Sequence, residues 1–303
     1  MRVRSPRCAG LLAAAVLSAA ALGAGAGCGR QQAGDGPDGG GSRARADRAR
    51  QVAAAWDGSR AAATWRAGYH PLGEVVRTPR GGLHSSADRE AYRSGSFVLR
   101  GELPAAERTK GRVVRDGGRS LTRPLISAHE AFEALKRGTT EPHLTVTGAK
   151  PGELSVATGQ GRATVPAWLF TLEGYDAPLV RAAAVPSALP RSPIGHIPGS
   201  RSSLEHLVRI SPDGRAVTVA ARHGVCDDGA RVEARESSGS VVLTASVQER
   251  EDREPDALCT KQAVRQQVTV TLRRPLGDRI LLDADFGRPV PFRSRLGPTP
   301  SWS

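Results

Sequence analysis

The chain has 303 residues, a net charge of +13, four cysteines and only 4% aromatic residues. A length of this order accommodates two domains, and the scarcity of aromatics leaves Val, Leu and Ala to fill the cores. So strong a positive charge ordinarily raises nucleic acid as a partner, but the N-terminal segment argues against it.

Arg2, Arg4 and Arg7 precede an apolar stretch from Ala9 to Ala26 that is rich in Ala, Leu and Gly. A charged start, a short apolar centre and small residues at the end describe a secretory signal over residues 1–27. The stretch falls short of a membrane span, which needs about 20 strongly apolar residues. Two processing sites compete. Gly25-Ala26-Gly27-Cys28 resembles a bacterial lipobox, whose cysteine takes a diacylglyceryl group before the leader is removed; Gly25 stands where Leu or a similar residue is usual. Ala24-Gly25-Ala26 reads instead as an A-x-A site, which would release a secreted protein.

The cysteines help to choose between them. Cys8 leaves with the leader, and exported cysteines tend to pair. If Cys28 carries lipid, Cys226 and Cys259 remain as one pair; if it does not, an odd thiol is left over. The expectation is lipid attachment at Cys28, a Cys226–Cys259 disulfide and a place on the outer face of the cell membrane, with secretion as the alternative. Residues 28–43 are mostly Gly, Gln, Asp and Pro, too polar to offset the entropy of ordering, and are expected to form a flexible tether.

The next stretch, Asp47 to Trp65, has a helical period that puts Val52, Trp56 and Ala63 on one face and Trp65 nearly opposite, with Gly58 either breaking or weakening the helix. Both tryptophans are read as core anchors. Gly68–Val76 reads as a turn into a strand, Ser85–Tyr92 as a short helix capped by Ser85 or Ser86, and Ser96–Leu103 as a strand. Ser127–Gly138 carries an N-cap Ser127, Glu130 completing a capping box, Lys136 and Arg137 in the last turn and Gly138 as the stop. A β-meander follows: His143–Gly148, then Glu153–Leu172 as two strands turning at Gly159-Gln160-Gly161, then Pro178–Val185. The strand through Val165 to Phe170 is apolar on both faces, which suits cover on both sides, and Pro166 suggests an edge position or a bulge.

Prolines at 186, 190, 193 and 198 exclude a helix or a central strand over residues 186–203, which read as a linker. Beyond it the pattern is all β: a hairpin over His206–Ala221 about Pro212-Asp213-Gly214, a second over Ala230–Val247 turning near Ser238-Gly239, and one long and two short strands within Arg265–Phe292. Seven short strands suggest a small sandwich. The plan is an α+β domain with an antiparallel β-meander over 44–185, an all-β sandwich-like domain over 204–292 and a disordered tail over 293–303.

No stretch announces an active site. His223 lies three residues before Cys226, and a Cys-His pair can make a thiolate nucleophile. The segment resembles in part the Ser-His-Gly-Cys setting of wall transpeptidases, but the order here is His-Gly-Val-Cys. Pairing with Cys259 is the simpler account, since a bonded cysteine is no nucleophile. Asp227, Asp228, Asp278, Asp283 and Asp285 would make a calcium site only if loops converged them, and they read better as solvated turn residues. His129-Glu130 opens a helix with no second histidine at the step a metal site requires. No G-x-S-x-G elbow, S-x-x-K or Walker loop is present. No catalytic residue, metal ligand or cofactor is expected.

At Gly68–Leu72, Val165–Leu179 and Gly277–Phe292 the chain resembles a group of exported actinobacterial lipoproteins of unknown function. The resemblance covers most of the mature chain and implies an address rather than a reaction. The expected function is a lipid-anchored, non-enzymatic envelope module that meets the membrane through its anchor and binds an envelope protein or an anionic wall polymer, without nucleic acid. The alternative is an envelope enzyme with scattered site residues in the first domain. The basic excess lies in residues 43–185, where 22 basic groups face 14 acidic ones.

Overall fold

In the computed structural model, residues 37–105, 109–198, 202–250, 259–260 and 262–293 are described, with side chains from Gly41 onward. The signal segment, Cys28 and the tail beyond Arg293 lie outside them. Among the described residues, four helices precede or interrupt the strands: α1 (Pro37–Trp56), α2 (Arg60–Ala67), α3 (Ser86–Ser94) and α4 (Ala128–Glu133). The first part of the chain supplies β1 (Val76–Arg77), β2 (Phe97–Leu99), β3 (Lys110–Arg115), β4 (Ser120–Pro124), β5 (Leu144–Thr158), β6 (Gly161–Leu172) and β7 (Leu179–Ala182). The second supplies β8 (Leu204–Ile210), β9 (Ala216–Gly224), β10 (Gly229–Glu236), β11 (Ser240–Gln248), β12 (Ala263–Thr271), β13 (Ile280–Asp283) and β14 (Arg288–Pro289). The molecule is β-rich, and its sheets and three cores lie in one compact unit, Gly41–Ser303.

Strands β1 to β7 make one seven-stranded sheet in which β6 is central, flanked along its length by β5 and on its other side by β3 and then β7. This corrects the expectation of an edge at Pro166. Pro166 sits where β3 pairing, at Ala163 and Thr164, gives way to β7 pairing from Ala167. Its carbonyl accepts from the Ala183 amide on the β7 side. The missing N–H would point the same way, into the step between the two neighbours, so proline costs the ladder no hydrogen bond there. The stretches around Val146 and Leu154, expected as separate strands, form the single strand β5 with a register irregularity between Val146 and Gly148. Strands β3 and β4 correspond to no expected element; Gly117 and Gly118, both at positive φ, turn the chain between them.

Local chemistry sets the helix ends. In α3 and α4, Ser85 with Asp88 and Ser127 with Glu130 form reciprocal capping boxes. Helix α4 stops at Glu133 rather than running to Gly138, because the amides of Arg137 and Gly138 are drawn to the Gly95 carbonyl instead. Gly58, at φ +73°, ends α1, and Ser59 caps α2. The break resets the helical phase: Val52 and Trp56 are buried in α1, but in α2 the buried pair is Ala62 and Trp65, while Ala63 is exposed. Helix α1 begins at Pro37, inside the stretch expected to be a tether.

The remaining strands form a four-stranded sheet, β10-β11-β13-β14, and a three-stranded sheet, β12-β9-β8. Within the first of these, β11 and β13 run parallel, with Val242 opposite Leu282. Alternation along these two strands feeds two cores. Val241, Leu243 and Leu281 join Leu207, Val217 and Val219 between the sheets, while Val242, Ile280 and Leu282 meet Val52, Trp56, Ala62 and Trp65 of α1 and α2. The Trp56 indole N–H donates to the Gly287 carbonyl at 2.8 Å. At the helix corner the Ser240 hydroxyl donates to Asp57 and Arg66 donates to the Gly239 carbonyl. A Cβ on Gly239 would stand 2.8 Å from the Asp57 carboxylate, so this approach requires glycine. Leu189 and Ile194, from the proline-rich stretch, pack against the same helix–sheet core.

Candidate functional site

The chemistry that stands out in the folded chain gathers around β7. This strand lies between β1 and β6, with Arg181 opposite Val76 on one side and Trp168 on the other. The position places a guanidinium inside the sheet, 2% exposed. Burying a cation is costly, and burial presses its pKa down to about 10, a cost that the nearby Tyr92 partly offsets. Arg181 therefore keeps its charge at neutral pH.

Arg181 and the residues after it, Ala182 to Pro186, line a pocket of about 190 Å³ together with Tyr69, Val75 and Ile126, with Glu130 of α4 and Ala134, its C-cap, also in the lining. Tyr69 is held by a two-point clamp: its amide donates to the Ser187 hydroxyl, and its carbonyl accepts from the Ser187 amide, both at 2.8 Å. Its side chain is 1% exposed, and its hydroxyl has no hydrogen-bond partner among the described residues. Burial pushes the Tyr69 phenol well above its ordinary range, so it stays protonated and remains a donor. The exposed Glu130 carboxylate is held low by the Ser127 amide and hydroxyl, which donate to it, and is ionised at neutral pH.

Beside the pocket, His70 stacks on Trp65 with ring centroids 3.9 Å apart. Burial, with Arg115 and Arg123 nearby, lowers its pKa to about 4, so it is neutral at pH 7. Arg115 donates to the carbonyls of Arg66, Ala67 and Gly68 at the end of α2, and Arg123 to those of Val185 and Pro186. The two arginines brace the loops that carry Tyr69 and the far wall of the pocket.

The residues singled out in the sequence fall elsewhere. Cys226 and Cys259 come together with Cα atoms 6.0 Å apart, within the range a disulfide spans, just beyond the end of the β9–β12 ladder. The His223 ring lies 2.8 Å from the Gly224 carbonyl through Nδ1. Asp227 accepts from the Gly224 amide, Asp228 pairs with Arg250, and Asp278 lies in the turn before β13. Asp283 is buried at the end of β13, where it accepts from the Asp285 and Phe286 amides and the Ser202 hydroxyl. Among the described residues no three His, Cys, Asp or Glu side chains converge on a metal position, and no helix is long and apolar enough to cross a membrane. The sequence presents Glu130 only as a helix cap and does not mark Arg181 or Tyr69 as site residues. Arg181 does leave a signal: it is the lone charge in Leu-Val-Arg-Ala-Ala-Ala-Val, and period two puts it on the same side as Leu179 and Ala183.

Comparison with known proteins found no match to the chain among family models, curated proteins or solved structures.

Proposed function

We propose that the chain is an extracytoplasmic envelope protein, anchored through lipid on Cys28, that binds its partner rather than transforming it. The observation that carries the address is the meeting of Cys226 and Cys259, the two cysteines left once the leader is cut and Cys28 is acylated. Such pairing suits an oxidising compartment, and the likeness to exported actinobacterial lipoproteins points the same way. In finer terms, the architecture we propose is an α+β portion built on the seven-stranded sheet, followed by a sandwich-like portion of two sheets.

Binding is favoured over catalysis by what lines the Tyr69–Arg181 pocket. A permanent cation, a phenol held in its donor form and one ionised carboxylate can recognise a charge, but none of them is poised to exchange a proton near neutral pH. A second partner, an anionic wall polymer, is favoured by the β3–β4 hairpin at the sheet edge, which carries Lys110, Arg112 and Arg119.

Mass spectrometry of the membrane fraction tests the address. A diacylglyceryl-modified N-terminal Cys28 peptide, and a Cys226–Cys259 cross-linked peptide seen only without reductant, are expected. A soluble chain beginning at Gly27, or an alkylatable Cys226, would overturn it.

A further inference from the structure

We propose that the pocket beside β7 is a binding site for a small monocarboxylate, whose carboxylate seats against the Arg181 guanidinium and the Tyr69 hydroxyl while a short apolar body fills the space walled by Val75, Ile126 and Ala182–Ala184. The inference rests on the binding half of the function proposed above and is independent of the lipid anchor.

Three observations carry it. First, a guanidinium and a protonated phenol in one pocket are both donors, and the phenol has no acceptor among the described residues. A buried donor without an acceptor costs stability that a ligand acceptor would recover. A guanidinium fork matches the two oxygens of a carboxylate, and charge-assisted hydrogen bonds are the stronger kind.

Second, the charges select for one negative group. Arg181 supplies one buried cation, and the ionised Glu130 carboxylate is part of the same lining. A dianion such as a phosphate ester or a dicarboxylate would bring a second charge that lacks a buried counterion and faces Glu130.

Third, size and polarity limit the body. An apolar cavity of about 150 Å³ takes up benzene, so about 190 Å³ suits a ligand of roughly six to nine non-hydrogen atoms. Beyond Arg181, Tyr69 and Glu130 the lining is alanines, Val75, Ile126, Val185 and Pro186, which offer no further polar side chain to read a sugar or a peptide backbone.

Isothermal titration and ligand-observed NMR on the full processed chain, with benzoate as probe, test this reading. Benzoate is expected to bind at least tenfold more tightly than benzamide, which keeps the shape and loses the charge, and at least tenfold more tightly than terephthalate, which adds one. Tyr69→Phe keeps the ring and removes the donor, and should weaken benzoate several-fold. Ala134→Trp, at a position of the lining on α4's C-terminal side, should abolish binding while far-ultraviolet circular dichroism and the Cys226–Cys259 cross-link stay unchanged. Arg181→Met should also abolish binding if it folds, but the two milder variants carry the test alone. Equal affinity for benzoate and benzamide, no benzoate binding at millimolar concentration, or wild-type affinity in Ala134→Trp would each overturn the proposal. A lipidated, cross-linked chain that fails to bind benzoate removes the carboxylate site and leaves the address standing. Benzoate binding by a chain with an unmodified N-terminus does the reverse.

Discussion

Asp283 should make the protein lose stability as pH rises, and replacing it with Asn should remove that loss. The carboxyl is 6% exposed at the end of β13. Burial is the largest influence on it and, with nearby Asp285, outweighs the hydrogen bonds from the Phe286 and Asp285 amides and the Ser202 hydroxyl, raising its pKa from 3.8 to about 6. The folded state thus holds the proton more tightly than the unfolded chain. Near pH 3 the group is protonated in both states and costs nothing. Between about pH 4 and 6 the unfolded chain ionises freely while the folded one resists, and stability falls. Above the folded pKa the penalty is complete: a shift of about two units, at about 1.36 kcal/mol each, comes to about 3 kcal/mol. The amide introduced by Asp283→Asn cannot titrate, so the stability of that variant minus that of the wild type should rise by about 3 kcal/mol from pH 3 to pH 7. Whatever the substitution changes in hydrogen bonding shifts that difference by a constant and leaves its slope. Urea unfolding followed by tryptophan fluorescence at half-unit pH steps measures it. A difference constant to within about 1 kcal/mol, or one that shrinks as pH rises, would refute the reasoning.

Trp56→Ala, which empties the centre of the helix–sheet core and removes the donor to Gly287, should cost about 3–5 kcal/mol in urea unfolding. Replacing Cys226 and Cys259 by Ser opens a loop with a sequence separation of 33 and should cost about 4 kcal/mol in the chain-entropy estimate; reductant should destabilise the wild type by the same amount and the variant not at all. Glu236 pairs with Arg279 at 2.8 Å, both side chains nearly buried, and Glu236→Gln should cost about 3–5 kcal/mol at pH 7. Burial would raise the Glu236 pKa, but the Arg273 and Arg274 amides and Arg279 bring it down to about 2. This stabilisation is present above the unfolded pKa and fades as pH falls towards 2, so the deficit of Glu236→Gln should narrow between about pH 4.5 and pH 2.5.

Local chemistry is legible in the residues themselves. Ser85 and Ser127 cap their helices because a side-chain oxygen satisfies amides within one turn. The turns at Gly159-Gln160-Gly161 and Pro212-Asp213-Gly214 join neighbouring strands, and Cys226 and Cys259 meet as a cysteine count suggests. The β3–β4 hairpin escapes a sequence reading although Asp116-Gly117-Gly118 is a turn signal, because its strands are short and charged and show no apolar alternation. Which faces meet depends on distant parts of the chain. The runs Val241-Val242-Leu243 and Ile280-Leu281-Leu282 state that both faces of a strand are covered, but not by what. Only the tertiary structure lays α1 and α2 on one face and the three-stranded sheet on the other. The same holds for the site. Arg181 in an apolar strand announces a buried charge, whereas the company of Tyr69 and Glu130 depends on contacts 112 and 51 residues away along the chain. Propensity acts over a few residues and can be read in order; hydrophobic burial has no direction along the chain, so the partners it selects exist only once the chain has folded.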